Sequence, residues 1–335
     1  MRVQLRAMEN IDRRKLLGLA GSFLAAQALS ARAVRRVDPA PHEALDAARF
    51  TALRRLSRTP FGDVAFVEQG EGRAVLLLHG FPLNSFQWRG VIERLSPFAR
   101  CVAPDFLGMG YSRVAAEQDV GPDSQVLMLA SLLDSLGIAQ TDLIANDSGG
   151  AVAQLFAVRY PARVRSLLLT NCDTEIQSPP EAMRPVIELA RQGRFVDEWL
   201  VPWHANPSLA RSAQGIGGMC FTDAAHPTDE ALRMYFDPLI DSPVRKSALH
   251  NYALALECNA LLGIRAAQQR SQVPTRIVWG SDDTIFDASN ADYLAGSFGN
   301  SHGVRRLENA KLFWPEERPD IVAAQARMLW KFAPA

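Results

Sequence analysis

The residues best suited to chemistry stand in one short run, Leu143-Ile144-Ala145-Asn146-Asp147-Ser148-Gly149-Gly150, within a chain of 335 residues. An apolar, strand-like stretch passes here directly into a helical pattern. An Asp or Ser at such a junction is thrust out of a sharp turn as a nucleophile. The turn leaves room only for small residues two before and two after its apex. With Asp147 at the apex these are Ala145 and Gly149; with Ser148 they are Asn146 and Gly150, and Asn146 crowds the turn. The steric count therefore favours Asp147. Two alternatives stay open: Ser148 as the nucleophile of an esterase, and an Asp-Ser pair that only caps a helix.

The two nucleophiles imply different reactions. An ionised carboxylate attacks carbon bearing a halide, or an epoxide carbon, without a base and becomes an alkyl ester. Only the hydrolysis of that ester needs a base to activate water. A serine attacks a carbonyl and needs its histidine in both half-reactions.

Elements that would position the junction can be read on either side of it. His42 to Leu56 has helical spacing, two short strands follow around Thr59–Phe61 and Asp63–Glu68, and Val75-Leu76-Leu77-Leu78 is a fully apolar run. Such a run marks a strand buried on both faces of a parallel sheet. Strand and helix then alternate: a strand at 101–103, a helix at 124–136, a strand at 142–145, a helix at 150–160 and a strand at 164–169. Residues 174–270 break the alternation with helical patterns and several prolines. It resumes with a strand at 275–279, a helix near 288–295, a strand at 304–307 and a final helix from Pro315 to Trp330. The expected class is α/β, a mostly parallel doubly wound sheet with core segments 34–173 and 271–335. The helical insert 174–270 lies between strands 6 and 7 as a cap over the carboxyl ends of the sheet, where ligands bind in such folds.

Beyond the first buried strand, His79-Gly80-Phe81-Pro82 would turn the Phe81 N–H toward the junction. With the N–H of Ser148 it makes a hole for developing or departing negative charge. Four motifs then stand in order: His79-Gly80-Phe81-Pro82; Pro104-Asp105-Phe106-Leu107-Gly108-Met109-Gly110-Tyr111-Ser112; the junction; and Trp279-Gly280-Ser281-Asp282-Asp283. Over about residues 60–332 this assembly resembles the α/β-hydrolase superfamily. The aspartate and Gly108-Met109-Gly110 are most similar to its haloalkane dehalogenase branch, with epoxide hydrolases nearby. The resemblance implies Asp147 as nucleophile, Asp283 as the acid of the triad, and Phe81 and Ser148 as the oxyanion or halide hole. Asp282 reads as solvated. Asp173, after the sixth strand, is a fallback acid that otherwise reads as a loop carboxylate.

The departures are as informative. Haloalkane dehalogenases grip halide with an indole immediately after the nucleophile and often with an asparagine in the first loop, where this chain has Ser148 and Phe81. Trp199 and Trp203 of the cap could supply an indole, and Tyr235 and Tyr252 a pair of phenols for an epoxide. Counting from the last strand, or back from Glu316-Glu317-Arg318-Pro319, the triad histidine falls on Leu312, and no histidine lies beyond His302. His302 belongs at the far end of the sheet, and His79 reads as structural. Three readings compete: a substitute base (Lys311, His204 or His250), chemistry that needs no ester hydrolysis, or a non-hydrolytic binding protein.

The N-terminus has its own character. Arg13-Arg14-Lys15-Leu16-Leu17, an apolar stretch and Ala31-Arg32-Ala33 make residues 1–33 a twin-arginine-type export signal, placing the mature protein in the periplasm or outside the cell. The apolar run is short for a membrane span, so no stable membrane insertion is expected after cleavage. Formal net charge is zero, with 36 basic and 36 acidic residues, which offers no footprint for nucleic acid. The expected partner is a small-molecule substrate. Four cysteines, Cys101, Cys172, Cys220 and Cys258, show no metal spacing, although Cys220 and Cys258 could pair in an oxidising compartment. No cofactor and no metal is implied.

Overall fold

The computed structural model describes residues 45–333; the export signal expected at residues 1–33 lies outside them. Eight strands form one sheet in the order β1-β2-β4-β3-β5-β6-β7-β8. They are β1 (Arg54–Thr59), β2 (Gly62–Gln69), β3 (Ala74–Leu78), β4 (Arg100–Pro104), β5 (Thr141–Asp147), β6 (Val164–Cys172), β7 (Thr275–Gly280) and β8 (Ser301–Leu307). β2 runs antiparallel to β1 and β4; the remaining pairings are parallel. Every side chain of β3 and β5 is buried, and the apolar runs Ala74–Leu78 and Leu143–Ala145 within them suit a sheet covered by helices on both faces. The edges are blunted by charge: Arg54, Arg55 and Arg58 on β1, Arg305 and Arg306 on β8.

Two expectations change. The first helix covers Ala47–Leu53 and stops before Leu56. Arg54–Thr59 instead pair antiparallel with β2 through a tight turn that needs the positive φ of Gly62 (129°). The final helix is broken: Trp314–Glu317 and Pro319–Leu329 flank Arg318, whose φ of −130° and ψ of 57° leave the helical region. The ring of Pro319 disfavours helical backbone at the residue before it.

The sheet register aligns the chemistry. Leu78 pairs with Ala145, Ala145 with Leu169, and Asp147 with Cys172 across a local irregularity, while Gly280 pairs with Leu307. Consequently His79, Asp147, Asp173, Asp283 and the segment after Leu307 all leave the same edge of the sheet. The residues between β6 and β7 form a series of helices, the longest being Asp229–Ile240 and Pro243–Ala255. Among the described residues no helix is long and apolar enough to cross a membrane.

Candidate active site

Asp147 ends β5 and Ser148 begins the helix Ser148–Arg159, so the turn between them has no spacer residues. Asp147 holds φ 54° and ψ −133°, a strained conformation for a residue with a side chain and one that clusters at functional turns. The crowding predicted from residue size is visible. A Cβ on Gly149 would lie 2.5 Å from the His79 carbonyl oxygen and 2.7 Å from that of Leu78; one on Gly150 would lie 2.3 Å from Cys172 Cβ. Gly80 is required for space, not for an unusual turn: a Cβ there would approach Asp147 Oδ2 to 2.6 Å.

Around the turn, three polar residues fix the loops. Gln87 accepts from the Gly80 N–H at 3.0 Å and donates to Asn146 Oδ1 at 2.7 Å. Asn146 in turn donates to the carbonyls of Asn171 (3.0 Å) and Leu312 (3.1 Å). Asn171 donates to Asp283 Oδ2 at 2.7 Å and accepts from the Gly280 N–H and from Trp314 Nε1. Asn146 thus acts as a knot beneath the site, a role that suits its place beside the apex better than that of a flanking residue. His79 is structural, as expected: its Nε2 accepts from the Phe106 N–H at 3.0 Å, which leaves Nδ1 to donate to the Gly80 carbonyl. The acceptor lone pair is available because burial pushes the imidazole pKa down.

The Phe81 N–H donates to Asp147 Oδ2 at 2.7 Å, and the Ser148 N–H also bonds this carboxyl. The hole therefore grips the aspartate itself. Burial and the neighbouring Asp173 nevertheless push the Asp147 carboxyl well above the usual carboxylate range; Asp283 adds to this, and the two N–H groups oppose it. Burial raises Asp173 and Asp283 to about 6 each, against hydrogen bonds from Ser178 and from Asn171 and the Ile285 and Phe286 N–H groups. Asp173 stands in the loop directly after β6, as expected, and is buried at 4% exposure beside Asp147. Asp282 is exposed, as expected.

Above Asp147 opens a cavity of about 600 Å³, including its mouth. Its wall is apolar and aromatic, and Asp147 is the one charged side chain lining it among the described residues. Leu312 lines this cavity together with Asp147 at 3% exposure, so an isobutyl group occupies the position to which the sequence count assigns the histidine. The segment carrying it is tied to the cap. Lys311 Nζ donates to the Gly218 carbonyl at 2.6 Å, the Phe313 N–H donates to the Cys220 carbonyl, and Glu317 accepts from the Thr222 and Asp223 N–H groups.

The candidate substitute bases are elsewhere. Lys311 is committed to the Gly218 carbonyl. His204 pairs with Asp237 at 2.6 Å on a partly exposed face of the cap. His250 Nε2 accepts from the Val196 N–H at 3.2 Å, satisfying a donor in the π-helical turn Val196–Leu200. None of the three lines the cavity. The proposed phenol pair is also separated. Tyr235 donates to Glu316, which is ion-paired with Arg89, whereas Tyr252 donates to Ser148 Oγ at 3.2 Å. Neither tyrosine lines the cavity, but both cap tryptophans, Trp199 and Trp203, do. Cys220 is also on its wall and is free, as is the exposed Cys258, so the two do not pair. Sequence reasoning missed Cys220 in the site because helical caps have no register that ties their side chains to the sheet. Among the described residues no group of His, Cys, Asp and Glu side chains is arranged to hold a metal.

The family described as alpha/beta hydrolase fold matches residues 73–311. Haloalkane dehalogenase 2 of Mycobacterium tuberculosis (strain ATCC 25618 / H37Rv) is 27% identical over 275 residues, covering 78% of this chain and 90% of that protein. Epoxide hydrolase 4 of Homo sapiens is 24% identical over 281 residues, covering 81% and 75%. Among solved structures, haloalkane dehalogenase DbeA from Bradyrhizobium elkani USDA94 superposes with a TM-score of 0.67 at 22% identity, over 83% of this chain and 98% of that one. Strand order, elbow, loop glycines and these likenesses agree, and the chain belongs to the alpha/beta hydrolase fold family.

Proposed function

We propose that this protein is a haloalkane dehalogenase-like hydrolase by descent, in which Asp147 takes an alkyl group from a small apolar electrophile and holds it as a covalent ester. One observation carries the reading: a buried carboxylate at the strained apex, oriented by the Phe81 N–H at 2.7 Å, faces an apolar cavity. In the step, Oδ1 or Oδ2 of Asp147 forms a bond to carbon as the carbon–halogen or epoxide C–O bond breaks. The electron pair leaves with the halide or alkoxide, which then accepts hydrogen bonds from the Phe81 and Ser148 N–H groups. Alkyl halides, epoxides and activated esters fit the cavity's chemistry. The names of the relatives above, dehalogenase and epoxide hydrolase, point to the same electrophiles.

Hydrolysis of the ester is the weak step. Water beside Leu312 has no imidazole to take its proton, and neither Asp173 nor Asp283 lines the cavity where that water would stand. The protein accordingly behaves as a single-turnover or very slow hydrolase. Ser148 is a poor alternative nucleophile: its hydroxyl bonds Tyr252, is 2% exposed and has no histidine beside it.

Intact-mass measurement after incubation with 1-bromobutane, 1,2-epoxybutane and 4-nitrophenyl butyrate tests this. A butyl adduct from 1-bromobutane and a hydroxybutyl adduct from 1,2-epoxybutane are expected on wild type and absent from Asp147→Asn, while 4-nitrophenyl butyrate reports any esterase activity. Esterase activity lost in Ser148→Ala and kept in Asp147→Asn would show that the register is wrong. We extend the proposal to location: the signal-like residues 1–33 would put this site outside the cytoplasm, which fractionation of cells expressing the full chain would test.

A further inference from the structure

The cavity wall holds more charge of one sign than the covalent step needs. Asp147 faces the cavity, Asp173 and Asp283 lie behind it, and no Lys, Arg or His is among the lining residues. Both backbone donors of the hole are already engaged by Asp147 itself. A free anion would meet three carboxylates and no vacant side-chain donor. The same wall also carries a run of rings. Phe81 stacks on Phe195 (centroids 5.7 Å, planes 24° apart), Phe195 meets Trp199 at 5.7 Å, and Trp199 meets Trp203 at 5.4 Å. All four line the same cavity, with Phe313 closing it beside Leu312.

Ring faces carry partial negative charge and attract a cation within about 6 Å of the centroid, most strongly when the cation is weakly hydrated. A carboxylate together with indole and phenyl rings around one cavity is the pairing that recognises an ammonium with an apolar surface. An ordinary apolar substrate gains only from the rings and leaves the carboxylates mutually repelled. A quaternary ammonium gains from both and has little hydration to lose.

We propose that this cavity is a binding site for small organic cations, quaternary or tertiary ammonium ions, held between Asp147 and the Phe195–Trp199–Trp203 wall. Trp199 and Trp203, in the π-helical turn and the helix Val201–Ala205 after it, then determine specificity and do not merely pack the cap. Nothing in this inference requires a covalent step, because the probe is not an electrophile. Its failure would leave the alkylation of Asp147 untouched, and the reverse also holds.

The test compares phenyltrimethylammonium with its uncharged carbon isostere, tert-butylbenzene, by tryptophan fluorescence and calorimetry at pH 8.5 and low salt. Wild type is expected to bind the cation at least tenfold more tightly than the isostere. Asp147→Asn should erase that preference while changing the Kd of tert-butylbenzene less than threefold. Trp199→Leu should weaken the cation more than the isostere, and its circular dichroism and binding of tert-butylbenzene report that the cap is still folded. Equal or tighter binding of tert-butylbenzene by wild type would overturn the inference. So would a cation preference that survives Asp147→Asn, or no measurable binding of the cation to folded wild type.

Discussion

Replacing Leu312 by histidine places an imidazole on the cavity wall beside Asp147, where the sequence count puts the missing base. Three quantities decide the outcome. Burying the leucine contributes about 2 kcal/mol to stability, and an imidazole of similar size recovers part of this by filling the same space. Its charged form faces Asp147, with Asp173 and Asp283 beyond; at roughly 5 Å and an effective dielectric of about 20 each pair of unit charges is worth about 3 kcal/mol. The variant should therefore fold with a stability within about 2 kcal/mol of wild type near neutral pH. Because the carboxylates raise the imidazole pKa above its usual value of about 6.5, this stabilising contribution is full below that value. It is lost as pH rises through the raised one. Hydrolysis uses the neutral ring, so it grows over the same window in which that stabilisation disappears. A positioned general base contributes about 10² to 10⁴ in rate, or roughly 3–5 kcal/mol off the barrier. Bromide release from 1-bromobutane reads this directly. Wild type should release about one equivalent and stall with the adduct in place, while Leu312→His should continue past it and regenerate free enzyme. A folded Leu312→His protein whose adduct persists as long as that of wild type would refute the reasoning. Steady release by wild type would show that Leu312 does not arrest the ester.

Other expected outcomes rest on single contacts. Asp173 has a folded pKa of about 6 against 3.8 unfolded. Its ionised form therefore costs folding stability above both values, and the cost fades as pH falls through 6 and is gone below about 4. By linkage Asp173→Asn should gain up to about 3 kcal/mol at pH 8 and nothing near pH 3, measured by urea midpoints. Gly149→Ala drives a Cβ into two backbone carbonyls and should cost about 3 kcal/mol or more. Gly296→Ala, in a helix with open space around it, should be neutral or stabilising by about 1 kcal/mol. His250→Leu leaves the Val196 N–H without its acceptor and should lower stability by about 1–3 kcal/mol, with adduct formation and bromide release within twofold of wild type. A hydrolytic base at His250 would instead make release collapse.

Much of the fold and the site was legible in the chain itself, for a local reason. The β3 and β5 strands are recognisable because a strand buried on both faces carries a continuous apolar run, as Val75–Leu78 and Leu143–Ala145 do. The apex was readable because a turn without spacer residues imposes size on its immediate neighbours, and Ala145 and Gly149 meet that constraint. Leu312 could be found because it is counted from a strand on one side and a helix start on the other. What lay beyond reach depends on residues distant in sequence. That Asn146 anchors Leu312, 166 residues away, follows from the sheet order. That Asp173 is buried with Asp147, that Tyr235 and Tyr252 separate, and that Cys220, Trp199 and Trp203 line one cavity with Asp147 all depend on how the cap helices settle on the sheet. Helical spacing shows that a cap side chain is buried, but only the packed tertiary structure shows whether it is buried against its neighbours or over the active carboxylate.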